Sequence, residues 1–383
     1  RETRAIHGEY FLVPINTAPN FFGGPRGEAA QLMDVGRQPL KQAQFKPAYN
    51  YYRFGFTGPA MSAGKNKGAV IEIIDLETQR VKANFKQMVN RQAYETGSGR
   101  LAKVTADSSS STTLEVDTTK FLRQDQPIVI APKDTGTIIT GGAQDIASIT
   151  DIDTLVLTTA VTADGTGTDQ NYIFPVGGAA AAAALARNKA ISGLKAAIYK
   201  YDPAELDPGL ADYGLIDRGT STAPKNQWWA GQYSDNDGAS RDLKIKDIMV
   251  GLTDVETKGG GKVKIGITTP ELWHQIALQI YPDRRIPQDM KLEGGWRYVN
   301  VADVPIIYDP DCPKGTLFLL DTDTWIWYEE EPLGFIEDDA GAILMRQDTG
   351  STPKHEFTAT AWWSSQLVCK NPARNWQGLN FNE

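Results

Sequence analysis

Histidine and cysteine are scarce in this chain, with three and two residues among 383. His7, His274 and His355 have no Cys, Asp or Glu at a recognised metal spacing, so solvated or core histidines are expected and no metal or cofactor is implied. Cys312 and Cys369 lie far apart in sequence. They form neither a disulfide framework nor a metal motif, and a reducing compartment is the expectation. Long apolar runs are missing as well. Residues 127–130 (PIVI) and 317–320 (LFLL) fall far short of the roughly 20 residues a membrane helix requires, so neither a membrane partner nor a signal peptide is expected. An opening at Arg1 in place of Met is expected of a processed or truncated start.

Catalytic signatures are equally thin. The SxxK pairs Ser62/Lys65 and Ser351/Lys354 lack the SDN and KTG elements that would give them meaning. Gly97-Ser98-Gly99-Arg100 follows a helix instead of opening one and lacks the phosphate-loop pattern. Asp235, Asp237 and Gly238 resemble the start of a calcium loop without its distal glutamate, so a plain turn is expected. One enzymatic or binding alternative stands. Trp228, Trp229, Trp362 and Trp363, with Asp321, Asp323, Glu329 and Glu330, have the residue types of a glycan-active or carbohydrate-binding cleft. Against it, adjacent aromatics on strands point to opposite faces and commonly serve as core and interface anchors.

What is present is an unusual order of elements. Residues 68–95 read as one amphipathic helix roughly 40 Å long, with Val70, Ile74, Val81, Phe85 and Met88 in one stripe and Glu72, Asp75, Gln79, Lys86 and Asn90 opposite. The Gly97-Ser98-Gly99 cluster stops it. Before the helix, residues 1–33 show no sustained period and carry Pro14, Pro19, Pro25 and Gly23-Gly24, which predicts an extended arm whose Tyr10, Phe11, Phe21 and Phe22 are buried on another surface. Residues 34–67 predict two strands, 40–45 and 49–56, able to pair as a ribbon that needs support from elsewhere. Behind the helix, residues 98–177 hold short alternating runs between Ser, Thr, Gly and Asp turns, the pattern of a small inserted β-rich module.

The rest of the chain is mixed. The alanine run at 179–184 leads into a short helix. Residues 201–240 are turn-rich, 241–256 form a second amphipathic helix, and 262–268 a strand. Thr269-Pro270-Glu271 then has the chemistry of a helix start. Strands are expected at 304–308, 316–320, 324–328 and 357–368, and these are the natural floor for the long helix. The class is α+β, and a chain of this length is expected to form at least two packed units.

Charge is unevenly placed. The net value is −8, yet residues 1–103 hold 15 Lys+Arg against 8 Asp+Glu, leaving 24 against 39 behind them. The basic residues stand singly, unlike those of a dedicated nucleic-acid binder. The asymmetry therefore points to the front of one copy docking on the body of another.

Several phrases resemble segments of tailed-bacteriophage major capsid proteins of the Hong Kong 97-like coat protein family. They are GLIDR at 214–218 followed by Trp228-Trp229, IGITTPELW at 265–273, VADVPIIYDPDCPKGTLFLLDTDTW at 301–325, and SSQLVCKNPARNWQGL at 364–379. The resemblance covers most of the chain and implies that fold: residues 1–33 the N-terminal arm, 34–67 the E-loop hairpin, and 68–97 the spine helix of the peripheral domain. It makes residues 98–177 an inserted β-rich domain, 178–300 the axial domain, and 301–383 the remaining axial and peripheral strands.

By the same resemblance the chain is a structural protein of the virion, not an enzyme. It implies self-assembly in the host cytoplasm as pentamers and hexamers into an icosahedral or prolate shell around weakly contacted double-stranded DNA. Scaffold, portal, maturation protease and decoration proteins are the further partners it implies. Tyr10, Phe11, Phe21, Phe22, Arg37, Lys41, Lys46, Arg53, Lys65 and Lys67 are the candidate intersubunit contacts, with the basic side chains facing acidic surface on adjacent copies. Reversing Lys41, Lys46 and Arg53 together to Glu is expected to leave the monomer folded by circular dichroism and to stop assembly; normal shells in the micrograph would refute charge docking.

Overall fold

The computed structural model describes residues 1–4, 6–16, 40–57, 67–139, 141–167, 170–175, 187–280, 298–337, 341, 343, 345–349 and 352–383. In chain order the elements are β1 (Glu2–Thr3), β2 (Phe11–Asn16), β3 (Leu40–Phe45), β4 (Ala48–Thr57) and α1 (Lys67–Tyr94). Strands β5 (Ala102–Lys103), β6 (Ser108–Glu115), β7 (Pro127–Pro132), β8 (Ala143–Ile149), β9 (Thr154–Ala163) and β10 (Asn171–Pro175) follow. Then come α2 (Leu194–Ile198), β11 (Gln232–Ser234), α3 (Ile245–Asp254), β12 (Ile265–Thr268) and α4 (Pro270–Ile280). The chain closes with β13 (Tyr298–Val301), β14 (Val304–Tyr308), β15 (Leu317–Leu320), β16 (Trp325–Phe335), β17 (Met345–Thr349), β18 (Thr352–Cys369) and β19 (Trp376–Gly378). No helix among the described residues is long and apolar enough to cross a membrane.

Two compact units result, one of residues 1–94, 192–202 and 212–383, the other of residues 95–191 and 203–211. The first is organised on β18, whose 18 residues are β-branched, aromatic or small over most of their length. β16 runs antiparallel along one edge, β4 antiparallel along the other, and β17 pairs with the start of β18. β1 adds to β16 in parallel. Alternation along β4 and β18 sets two faces. Asn50 and Trp363 are buried on the inner one, while Tyr49, Tyr51 and Arg53 are exposed on the outer one.

Helix α1 lies on the inner face, because its apolar stripe needs cover and this sheet supplies aromatic cover. Val81 and Phe85 are each 4% exposed, and the Phe85 ring is 6.3 Å from that of Trp363. Asn84 Nδ2 donates to Tyr52 Oη at 3.1 Å and Gln92 Nε2 to Asn50 Oδ1 at 2.8 Å. The helix keeps the bounds its periodicity predicts to within a residue at each end. Val70 and Ile74 belong to side chains outside the described set. A Cβ added at Gly193 would meet the Ala93 carbonyl at 2.3 Å, so only glycine lets the start of α2 approach the end of α1 this closely.

A second sheet of this unit has the order β11-β19-β15-β12-β14-β13, with β11/β19 and β12/β14 parallel and the remaining pairs antiparallel. The LFLL run of β15 is buried at every position, as a central strand covered on both faces requires. Its core joins Ile248 of α3 and Leu272 and Ile276 of α4 to Leu317, Leu319 and Trp376. Thr269 Oγ1 accepts from the Leu272 amide at 3.4 Å, capping α4 as its sequence anticipates.

Strands 40–45 and 49–56 form where expected, but they do not pair with each other. β3 runs antiparallel to β2, and β4 joins β18. The physical reason is burial. Phe11, Val13 and Ile15 alternate with Ala43 and Phe45 on one face of the β2/β3 ribbon, and that face enters a core with Tyr213, Trp229 and Tyr328. Residues 11–16 are thus tied down within their own chain. The alanine run 179–184 lies outside the described residues.

The second unit is all-antiparallel, in the order β5-β10-β7-β8-β9-β6. It closes on itself. Val104 bridges Val116, the Thr105 amide donates to the Glu115 carbonyl at 3.0 Å, and the Asp117 amide to the Lys103 carbonyl at 3.0 Å. Leu114, Leu122, Ile128, Ile130, Ile146 and Leu155 fill the interior at 1% exposure or less. Gly97 and Gly99, at φ 100 and 78, turn the chain in conformations that favour glycine. Arg100 ties the 203–211 segment to the barrel through Asp207 Oδ1 at 3.0 Å, with Glu95 Oε2 at 3.1 Å.

Phe85→Ala removes the helix side chain that meets Trp363. It is expected to cost about 3–5 kcal/mol, read as a fall in the urea midpoint of the unit that contains α1, with the barrel's transition unmoved.

Candidate intersubunit interface

The basic front of the chain is partly neutralised by the chain itself. Arg1 Nη1 sits 3.2 Å from Glu329 Oε1, whose side chain is 8% exposed, and the Arg1 guanidinium lies 5.2 Å above the Trp363 ring. Arg4 Nη1 donates to Tyr328 Oη at 2.8 Å and lies 4.9 Å from that ring. Pairing of β1 with β16 places both arginines, since Glu2 and Thr3 register with Tyr328 and Glu329. A charge count names no partner, so this use of the arginines is not visible in the sequence.

The expected contact residues differ in their placement. Phe11 is fully buried in its own core, 5.9 Å from the Tyr328 ring, and so has no surface to offer a neighbour. Burial on a second copy is replaced by burial under β16. Lys46 donates to Glu9 Oε2 at 2.8 Å and lies 5.2 Å over the half-buried Tyr10 ring. The bond to Glu9 holds its ammonium above the ordinary lysine value. Lys41 reaches Asn226 Oδ1 at 3.4 Å and the Trp228 ring at 5.5 Å. These two lysines have partners within the chain, yet both are exposed. Arg53 is exposed on the outer face of β4. Phe21, Phe22, Arg37 and Lys65 lie outside the described residues; Lys67 opens α1, with its side chain outside them.

The residue types of the glycan alternative are not gathered into one cleft. Trp229 is 1% exposed and donates its Nε1 proton to the Tyr213 carbonyl at 2.9 Å. Trp363 packs inward against Phe85 and Trp327. Asp321 is buried near Arg374, Asp323 pairs with Lys264, Glu329 faces Arg1, and Glu330 accepts from Ser364 Oγ at 2.7 Å. Only one tryptophan of each pair turns partly outward, Trp228 and Trp362. Asp235 accepts from the Asp237 amide at 3.1 Å in a single 3-10 turn, as a plain turn would.

One charged cluster was not anticipated from the sequence. Asp202, Asp212 and Asp217 bring carboxylate oxygens within 4.8 Å of one another. The chain's own donors hold them: the Arg218 amide to Asp202 Oδ1 at 2.7 Å, and Lys225 Nζ and the Gly219 amide to Asp217 at 2.6 and 2.8 Å. Arg218 is wholly buried and donates to the Ala196, Ala197 and Tyr199 carbonyls, filling the free carbonyls at the end of α2. Burial lowers its guanidinium to about 10. The Lys225 bond lowers Asp217, whereas burial raises Asp202 and, with repulsion from Asp217, Asp212. These residues sit in the turn-rich 201–240 stretch, where no local pattern marks them as a group.

No protein-family model matches this chain, and no curated protein matches it in sequence. Among solved structures it is similar to a chain of the cyanophage A-1(L) capsid asymmetric unit, at 13% identity and a TM-score of 0.55, over 100% of this chain and 91% of that one. It is also similar to a chain of Gordonia phage Cozz, at 11% identity and a TM-score of 0.47, over 100% and 84%. The first likeness establishes the fold. It is α+β and that of a phage capsid protein, of the Hong Kong 97-like kind.

A pH prediction follows from the carboxylate cluster. With its pKa raised above 3.8, Asp212 binds a proton more tightly folded than unfolded, so its contribution to stability falls as pH rises through that window. Asp212→Asn is expected to raise Tm at neutral pH, and the gain should vanish below pH 3.8; a gain independent of pH would refute the assignment.

Proposed function

We propose that this chain is a major capsid protein, a structural subunit that assembles as pentamers and hexamers into the icosahedral or prolate head of a tailed phage. The observation that carries the reading is the shared fold over the whole of this chain and 91% of a cyanophage capsid chain. A helix of about 42 Å lies on one face of a sheet whose opposite face exposes Tyr49, Tyr51 and Arg53, and lysines of the front segment stand on the surface.

In this reading the role is structural, and the finished subunit belongs to the virion after assembly in the host cytoplasm. Double-stranded DNA is enclosed and touched weakly, because a net charge of −8 gives little of the counterion release that drives tight binding. Scaffold, portal, maturation protease and decoration proteins are its natural partners, and the β-barrel unit is the insertion available to them.

Concentrated purified protein is expected to sediment as capsomers or shells and to show five- and six-fold particles by negative-stain electron microscopy. Monomers alone, across salt and protein concentration, would overturn the proposal.

A further inference from the structure

The outer face of the β4–β18–β16 sheet holds a shallow open recess of about 470 Å³, lined by Tyr51, Trp362, Glu331, Glu337, Phe335 and Ile336. Strand register builds it. Tyr51 lies opposite Trp362, and the two rings stack at 12° with centroids 6.3 Å apart. Because side chains alternate, Trp362 turns to this face while Trp363 goes to the core. Tyr51 is 54% exposed, and Glu331 and Glu337 are exposed beside it.

Among the described residues, neither carboxylate forms an ion pair, and Arg53, two positions beyond Tyr51 on the same face, forms none with them. Among the described residues the lining thus offers two aromatic faces and two carboxylates, and no cation. An organic cation matches this set. Ring quadrupoles attract it, and carboxylates take its N–H donors. A sugar needs donors as well as acceptors from its site, and among the described lining side chains only the Tyr51 hydroxyl and the Trp362 indole donate.

We propose that this recess seats a lysine or arginine side chain from a second copy of the chain. The inference rests on the shell-subunit reading and deepens it by naming an acceptor surface. Charge complementarity selects the occupant. Both carboxylates come from the acidic body, whereas residues 1–103 carry nearly twice as many basic as acidic side chains. Cations are also displayed outward. Lys82 and Lys86 are exposed one turn apart on α1, away from its buried Val81 and Phe85.

The test places a photoreactive group at the recess. Full-length Tyr51→p-benzoylphenylalanine, mixed as unlabelled and uniformly heavy-isotope protein, is irradiated and digested. Heavy–light adducts on a peptide with Lys or Arg beside the linkage are expected, and Glu331→Gln with Glu337→Gln should lower their yield about tenfold. Three results overturn the proposal: no heavy–light adduct, adducts on a peptide without a basic residue, or a yield indifferent to the two carboxylates. Retention of a saccharide that Trp362→Ala abolishes, without adducts, assigns the recess to a sugar and likewise overturns it. Shells without adducts refute the recess and leave the shell reading standing; adducts in protein that never forms capsomers refute the shell reading and keep the recess.

Discussion

The packing of α1 on β18 through Phe85 and Trp363 is the contact on which the larger unit depends. A 28-residue helix with polar flanks has little stability of its own beyond what tertiary packing gives it, and an 18-residue strand must be paired on both edges if its backbone groups are to be satisfied. Each solves the other's difficulty. The helix covers the aromatic inner face, and β16 and β4 complete the ladders. The same alternation that commits Trp363 to the core obliges Trp362 to face outward. An exposed aromatic surface is therefore a by-product of building the core this way, and the recess beside Tyr51 is what the chain makes of it.

Charge is distributed on a related principle. The front segment is basic, but Arg1, Arg4 and Lys46 are used first within the chain, on Glu329, Tyr328 and Glu9. Exposed pairs such as Lys46–Glu9 contribute little to stability, so they leave the surface cation available for exchange with another partner. Glu329 differs. Its carboxylate is nearly buried, and removing Arg1 would leave it without its closest cation. The short strand β1 is consequently held by more than its two residues of pairing.

How much of this was legible in the sequence depends on the range of the interaction. α1 was readable because a 3.6-residue period repeats locally, and the strands 40–45 and 304–308 because alternation and turn residues mark them. Strand partners were not readable. β4 pairs with a strand some 300 residues later, and no local pattern distinguishes that from a hairpin with β3. Pro14 and the lack of a sustained period hide a six-residue strand with Phe11, Val13 and Ile15 on one side, so the sequence alone points Phe11 toward a neighbour. Of the candidate contacts, Lys41, Lys46 and Arg53 are exposed. The Asp202–Asp212–Asp217 cluster is invisible in the sequence because tertiary folding alone brings its members together.

The circular closure of the β5–β10 barrel limits how that unit is recognised. With Val104 bridging Val116 beside the first and last strands, the ladder is shut at that end against an extra strand laid by another polypeptide, a route to unwanted fibres as well as to partners. Hairpin tips are another surface this unit presents. There the 67%-exposed Ile152 stands between Asp151 and Asp153, a greasy point in an acidic collar.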